Sequence, residues 1–162
     1  MKGVLPVYKD SFFCGSNRED GLRLTMMYEP KLVYCHVNID NRFEGYTDVL
    51  HGGMMFGILD VIVWYAIFME TKKIGMTRKT EMEFLKPVMC GSPYIAKGRF
   101  LRIEDRDIFA TAWMEDNQGD VYAKVDALFR EGKDLSLHHF INKFDFSCAD
   151  PEIKAYFLSL LK

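Results

Sequence analysis

Residues 49–70 read VLHGGMMFGILDVIVWYAIFME, and this stretch decides the fold. Beyond His51-Gly52-Gly53 the run from Met54 to Met69 is apolar or Gly except for Asp60. As a helix, residues 53–70 would span about 27 Å at 1.5 Å per residue. A helix apolar on nearly every side is expected to be buried on nearly every side, so other elements must wrap it. The run is shorter than a membrane span and carries Asp60, so no membrane crossing is expected.

Past Lys72-Lys73-Ile74-Gly75 the period changes from helical to two. Thr77 to Leu85 sets Arg78, Thr80, Met82 and Phe84 on one face. Tyr94 to Arg102 groups Ala96, Gly98 and Phe100, Ile108 to Met114 groups Ala110 and Ala112, and Val121 to Arg130 groups Ala123, Val125 and Ala127. Such alternation predicts strands with one covered face. Their small residues leave room for a helix to lie close. Asp116 to Asp120 suits a hairpin connection. Upstream of the helix, Leu22 to Tyr28 and Leu32 to Ile39 read as strands around Glu29-Pro30-Lys31, and residues 40–50 read as irregular. Asp150-Pro151-Glu152 marks a helix start ahead of Ile153 to Leu161. The expectation is one α+β domain over residues 1–162, a long central helix wrapped by an antiparallel sheet of about six strands. Residues 1–20 form an N-terminal loop segment, and 134–162 a C-terminal helical extension.

Composition narrows the function classes. Twenty-one Lys+Arg against 23 Asp+Glu give a net charge of −2, with no overall footprint for nucleic acid. The 14% aromatic share and ten methionines supply a core or an apolar ligand tunnel. Cys14, Cys35, Cys90 and Cys148 have no metal-knuckle or CxxC spacing, so no metal site is expected. They read as reduced thiols, and with no apolar leader at the N-terminus the expected location is cytoplasmic.

Asp60 is the candidate for chemistry. A carboxylate in an apolar helix needs a partner, or its pKa rises. It can be a structural Asp bonded to a facing strand or a second copy, or a catalytic base or nucleophile in a cleft. Gly52 and Gly53 lie at the helix start, where unpaired N–H groups and the helix dipole can receive a carbonyl oxygen. Asp60 is about 10–12 Å further along the axis, too far for one small carbonyl to touch both in one chain. If both act on one bond, a symmetric dimer must share the site. His51 has no same-chain partner for catalysis and reads as a loop-positioning residue. Lys79 and Arg78 belong to a basic cluster able to meet phosphates, with Lys79 taken to share a strand face with Thr77. Phe56, with Trp64, Tyr65 and Phe68, suits an apolar pocket or packing.

HGG followed by Asp nine residues after the His, in LHGGMMFGILDVIVWYA, resembles the hotdog-fold acyl-CoA thioesterases. The resemblance is nearest to the phenylacetyl-CoA and 4-hydroxybenzoyl-CoA thioesterase-like branch. FFCGSNREDGLRL is similar to a CxxCGxxNxxGL segment of one bacterial branch, FEGYTDVLHGG to FQGYPGxxHGG, and TRKTEMEFLKPVMCG to a strand that starts with Thr or Ser and ends in Pro-Val-x-x-Gly. The likeness covers about residues 12–130. It implies a homodimer or dimer of dimers that hydrolyses an acyl-CoA thioester without a cofactor. The Gly52 N–H would polarise the carbonyl, Asp60 of the opposing subunit would attack it or activate water, and Thr77 would position that water. Three departures stand out. Ser11 replaces a Cys, which removes any metal or disulfide role for Cys14. Glu44 replaces a Gln that could reach the thioester, where a carboxylate would repel an oxyanion. Thr47-Asp48 replaces Pro-Gly. The alternatives are a non-catalytic acyl-CoA or apolar-ligand binder on this fold, a 3-hydroxyacyl-thioester dehydratase, whose His signature is missing, and a structural dimer.

Overall fold

The computed structural model describes residues 1–133 and 135–161; the two ends of the expected extension, residues 134 and 162, lie outside them. A 20-residue helix, α1 (Gly52–Thr71), lies against one face of an antiparallel sheet. The described residues form eleven strands: β1 (Gly3–Val4), β2 (Val7–Tyr8), β3 (Met27–Glu29), β4 (Leu32–Val37), β5 (Glu44–Tyr46), β6 (Val49–Leu50), β7 (Gly75–Phe84), β8 (Tyr94–Glu104), β9 (Asp107–Glu115), β10 (Val121–Glu131) and β11 (Phe144–Asp145). The main sheet has seven strands in the order β1-β3-β4-β8-β9-β10-β7, one more than expected. β11 pairs with β2 and β5 with β6 in two small ribbons.

The helix lies close because the sheet face beneath it is made of small residues. Ala96, Ala110, Ala112, Ala123 and Ala127 are buried there. A Cβ on Gly98 would stand 2.5 Å from Ile62 Cγ2, so that glycine is required by the approach. Ten residues of α1 are buried. Each large apolar one contributes about 1.5–3 kcal/mol of transfer free energy. Burial is not all-round, however: Gly53, Phe56, Gly57, Asp60, Val61 and Trp64 keep partial or full exposure along one stripe. Twenty residues also make α1 long and apolar enough to cross a membrane, contrary to the expectation from the shorter run. Here the sheet covers it instead.

Other expectations are corrected at the ends. Residues 22–26 are no strand: Leu22 N–H and Leu24 N–H donate to the N-terminal segment's Phe12 and Phe13 carbonyls at 2.9 Å each. β4 stops at Val37. The N-terminal segment is not wholly loop, since β1 extends the main sheet and β2 anchors β11. The C-terminal extension holds α2 (Leu137–Ile141), β11 and α3 (Pro151–Ser159). Asp150 precedes α3 as expected, but its Oδ2 accepts from Val4 N–H at 2.7 Å rather than capping the helix.

Candidate active site

The N-terminus of α1 is built by His51. Its backbone is extended, and its ring Nδ1 accepts from Gly53 N–H at 2.9 Å. A ring nitrogen that accepts is deprotonated, so the cap requires the neutral ring. His51 is therefore the N-cap, in keeping with a loop-positioning role. The same bond corrects the candidate donor pair. Gly53 N–H is occupied, whereas Gly52 N–H donates to no group among the described residues. The Phe84 ring of β7 lies over Gly52, and a Cβ there would come within 3.1 Å of its Cε1.

Two turns on, Asp60 faces β7. Thr77 Oγ1 donates to Asp60 Oδ1 at 2.8 Å, and Oδ2 has no partner among the described residues. Burial raises the Asp60 pKa above the ordinary carboxylate value, and the Thr77 hydrogen bond opposes that shift. Asp60 is thus both bonded to a facing strand and open to a cleft. The cleft measures about 480 Å³ and is bordered by Gly57, Asp60, Val61, Trp64 and Thr77 on the helix and strand side. Ser11 and Phe13 of the N-terminal segment border its other side, with Gly75, Met76 and Phe129 beside Thr77. Phe13 can dock only because residue 57 has no side chain: a Cβ there would fall 2.0 Å from Phe13 Cζ. The sequence reading missed Phe13 as a site residue. Gly57, one turn before Asp60 on the same helix face, was the available signal.

A β-bulge decides what else reaches the cleft. On β10, Phe129 pairs with Thr77 and Leu128 with Lys79, so Arg78 is the extra residue. Neighbours on β10 face opposite sides, which sends Thr77 inward and Lys79 outward. This overturns the expectation that Thr77 and Lys79 share a face. Lys79 lines the outer surface with Glu81, Leu101 and Arg102. Arg78 faces Asp107, with its Nη1 3.4 Å from Oδ1. It leaves the face on which Thr80, Met82 and Phe84 remain. Phe56 is half-buried and borders none of the cleft.

Glu44 stands in β5, and the following Gly45 abuts His51. Its carboxylate serves its own loop: Oε2 accepts from Asp48 N–H at 3.1 Å and from Asn41 Nδ2 at 3.3 Å. Asn41 Nδ2 also reaches Asp48 Oδ1 at 2.6 Å. Asp48 has a φ of 62°, the left-handed region where the resembling sequences carry Gly. The Glu44 and Asp48 departures thus support each other in one turn.

Residues 47–123 match the thioesterase superfamily. This segment is a thioesterase-superfamily hotdog. Protein C26H8.11c of Schizosaccharomyces pombe is 25% identical over 117 residues, covering 69% of this chain and 66% of its own length. Protein RHA08564, a thioesterase superfamily protein, superposes with a TM-score of 0.70 at 19% identity, over 75% of this chain and 60% of its own. Smu.793 of Streptococcus mutans UA159, solved bound to acetyl CoA, gives 0.62 at 17% identity, over 67% and 88%. The chain thus spans slightly under two thirds of the first two relatives' lengths. At these identities the two solved structures establish the hotdog fold alone.

Proposed function

We propose that this thioesterase-superfamily chain hydrolyses an acyl-CoA thioester to the free acid and CoA. The observation that carries the reading is Asp60: a half-buried carboxylate with a raised pKa, one oxygen held by Thr77 and the other open to a cleft. The acetyl CoA on smu.793 supports the ligand class. Asp60 takes a proton from a water that Thr77 Oγ1 helps to hold, and that water's oxygen attacks the thioester carbon. The Gly52 N–H, at the positive end of α1, receives the developing oxyanion. When the tetrahedral intermediate collapses the C–S bond breaks, and the leaving thiolate regains the proton from Asp60. If Asp60 is instead the nucleophile, an Asp60–acyl anhydride forms as the thiolate leaves, and hydroxylamine added during turnover will trap it as a hydroxamate.

The same proposal includes a homodimer. β7 is the edge of the main sheet, ten residues long, with Met76 68% and Phe84 58% exposed. A long edge strand with its outer backbone groups unpaired and Met76 and Phe84 exposed can receive a second copy. Gly52 and Asp60 are about 12 Å apart along α1, so a second chain is needed to bring both to one carbonyl. Four free cysteines support a reducing, cytoplasmic setting. The test is thiol release from short, medium, long and aromatic acyl-CoAs, by the wild type and by Asp60→Asn. Release that Asp60→Asn abolishes is expected. Binding without release would instead identify a ligand-binding protein.

A further inference from the structure

A second cavity, of about 280 Å³, adjoins the Asp60 cleft and shares Ser11, Val61 and Trp64 with it. Its remaining walls are Tyr8, Cys14, Tyr65 and Phe140. Phe140 belongs to α2, outside both the matched residues 47–123 and the sequence resemblance. The C-terminal segment is seated here by aromatic packing. Phe140 lies 5.1 Å from Trp64 and 5.3 Å from Tyr8, ring centre to ring centre. The Tyr65 and Cys14 polar atoms on the cavity wall are already engaged with each other and with the backbone. Tyr65 Oη donates to Pro6 O at 3.1 Å and lies 3.6 Å from Cys14 Sγ. Among the described residues no charged side chain lines this end, so a charged group there would lose solvation without compensation.

We infer that the acyl group of the substrate runs from Asp60 along Val61 and Trp64, and that Phe140 and Tyr8 stop it. The inference rests on the thioesterase reading of Asp60 and adds the specificity of that site. From Asp60 to Trp64 is about 6 Å along the helix. At roughly 1.2 Å per bond of an extended chain this takes about five bonds. At about 280 Å³ the cavity lies at the lower end of the roughly 300–1,000 Å³ found for ligand pockets. The favoured substrates are therefore short aliphatic or phenyl-sized acyl groups.

The experiment compares kcat/KM for hexanoyl-, phenylacetyl-, decanoyl- and palmitoyl-CoA. The wild type is expected to favour the first two. Phe140→Ala should raise the decanoyl-to-hexanoyl ratio about tenfold, the scale on which a hydrophobic pocket discriminates. If that variant does not fold, Phe140→Leu should move the ratio the same way by less. Trp64 emission in a Trp113→Phe background provides a readout independent of hydrolysis, since these are the two tryptophans. The neutral amides phenylacetamide and hexanamide should change it saturably. A wild type that releases no thiol yet shows this binding would overturn the hydrolase reading and keep the pocket. An unaltered chain-length ratio in folded Phe140 variants, or emission unmoved by either amide, overturns the pocket.

Discussion

Thr77 Oγ1 and Asp60 Oδ1 stand 2.8 Å apart, joining the edge strand to the central helix at the one charged position of its apolar run. The bond fixes the carboxylate without neutralising it. The hydroxyl hydrogen is spent on Asp60, while lone pairs on the Thr oxygen stay available to accept from water.

Asp60→Asn should lower kcat by about 10²–10⁴-fold, the usual worth of a positioned base. It should also raise stability at neutral pH. Burial lifts the folded-state pKa of Asp60, so its favourable contribution is complete below the unfolded value and is lost as pH rises through the folded one. Asn carries no such dependence. Melting curves should show the variant above the wild type at pH 7, by about 2–4 °C per kcal/mol, and the gap should close in acid. Equal melting temperatures at all pH values would count against a buried ionised carboxylate.

Thr77→Val removes the hydrogen bond that holds the Asp60 pKa down. The acid limb of the kcat/KM profile should move to higher pH, and the plateau should fall by about 5- to 10-fold, the worth of one hydrogen bond. Thr77→Ser, which keeps the hydroxyl, should stay near the wild type. An acid limb that does not move in Thr77→Val would separate the hydroxyl from the base.

His51→Ala deletes the N-cap of α1, at a cost of about 1 kcal/mol. The melting temperature should drop by about 2–4 °C. Asn is among the best N-cap residues, so His51→Asn should restore most of that loss. A drop that Asn does not rescue would place the value of His51 elsewhere than its bond to Gly53.

Glu44→Gln keeps an oxygen to accept from Asp48 N–H, so the turn should hold and the pH–rate profile should superimpose on that of the wild type. A raised rate or an optimum displaced to lower pH would instead put the Glu44 charge beside the thioester.

Asp60→Asn and Gly52→Pro chains, each inactive alone and each checked for folding, should regain about a quarter of wild-type activity when unfolded and refolded together in equal amounts. Half of the dimers would be mixed, each with one intact site. No recovery in confirmed mixed dimers would sink the shared site.

The architecture was legible because the change of period at Gly75 is a physical signal. Apolar residues on every side of α1 demand a wrapping sheet, and Ala96, Ala110, Ala112 and Ala123 are the small residues such a sheet needs. The position of Asp60 at a cleft was legible for a related reason: a lone carboxylate in an apolar helix is costly unless it has a partner or reaches solvent, and Asp60 has both. The Thr77–Lys79 relationship was not, because strict alternation cannot reveal one extra residue in a strand. Nor did alternation separate Gly52 from Gly53, since the distinction lies in which N–H the His51 ring takes. The docking of Phe140 is long-range, and no local pattern encodes it, whereas for Phe13 the missing side chain at Gly57 was the one signal.

The extra residue at Arg78 gives β7 a phase. Ahead of it the strand is indexed to the helix, presenting Thr77 to Asp60; after it the strand is indexed to the outer surface, presenting Lys79, Glu81 and Glu83 to solvent. One residue therefore acts as a frame marker between the part of the strand that meets Asp60 and the part beyond it. A deletion at position 78 would keep nearly the same composition and strand length, yet it would force a choice. Either Thr77 keeps its bond and every later side chain changes sides, or the later pairing survives and the hydroxyl turns away from Asp60.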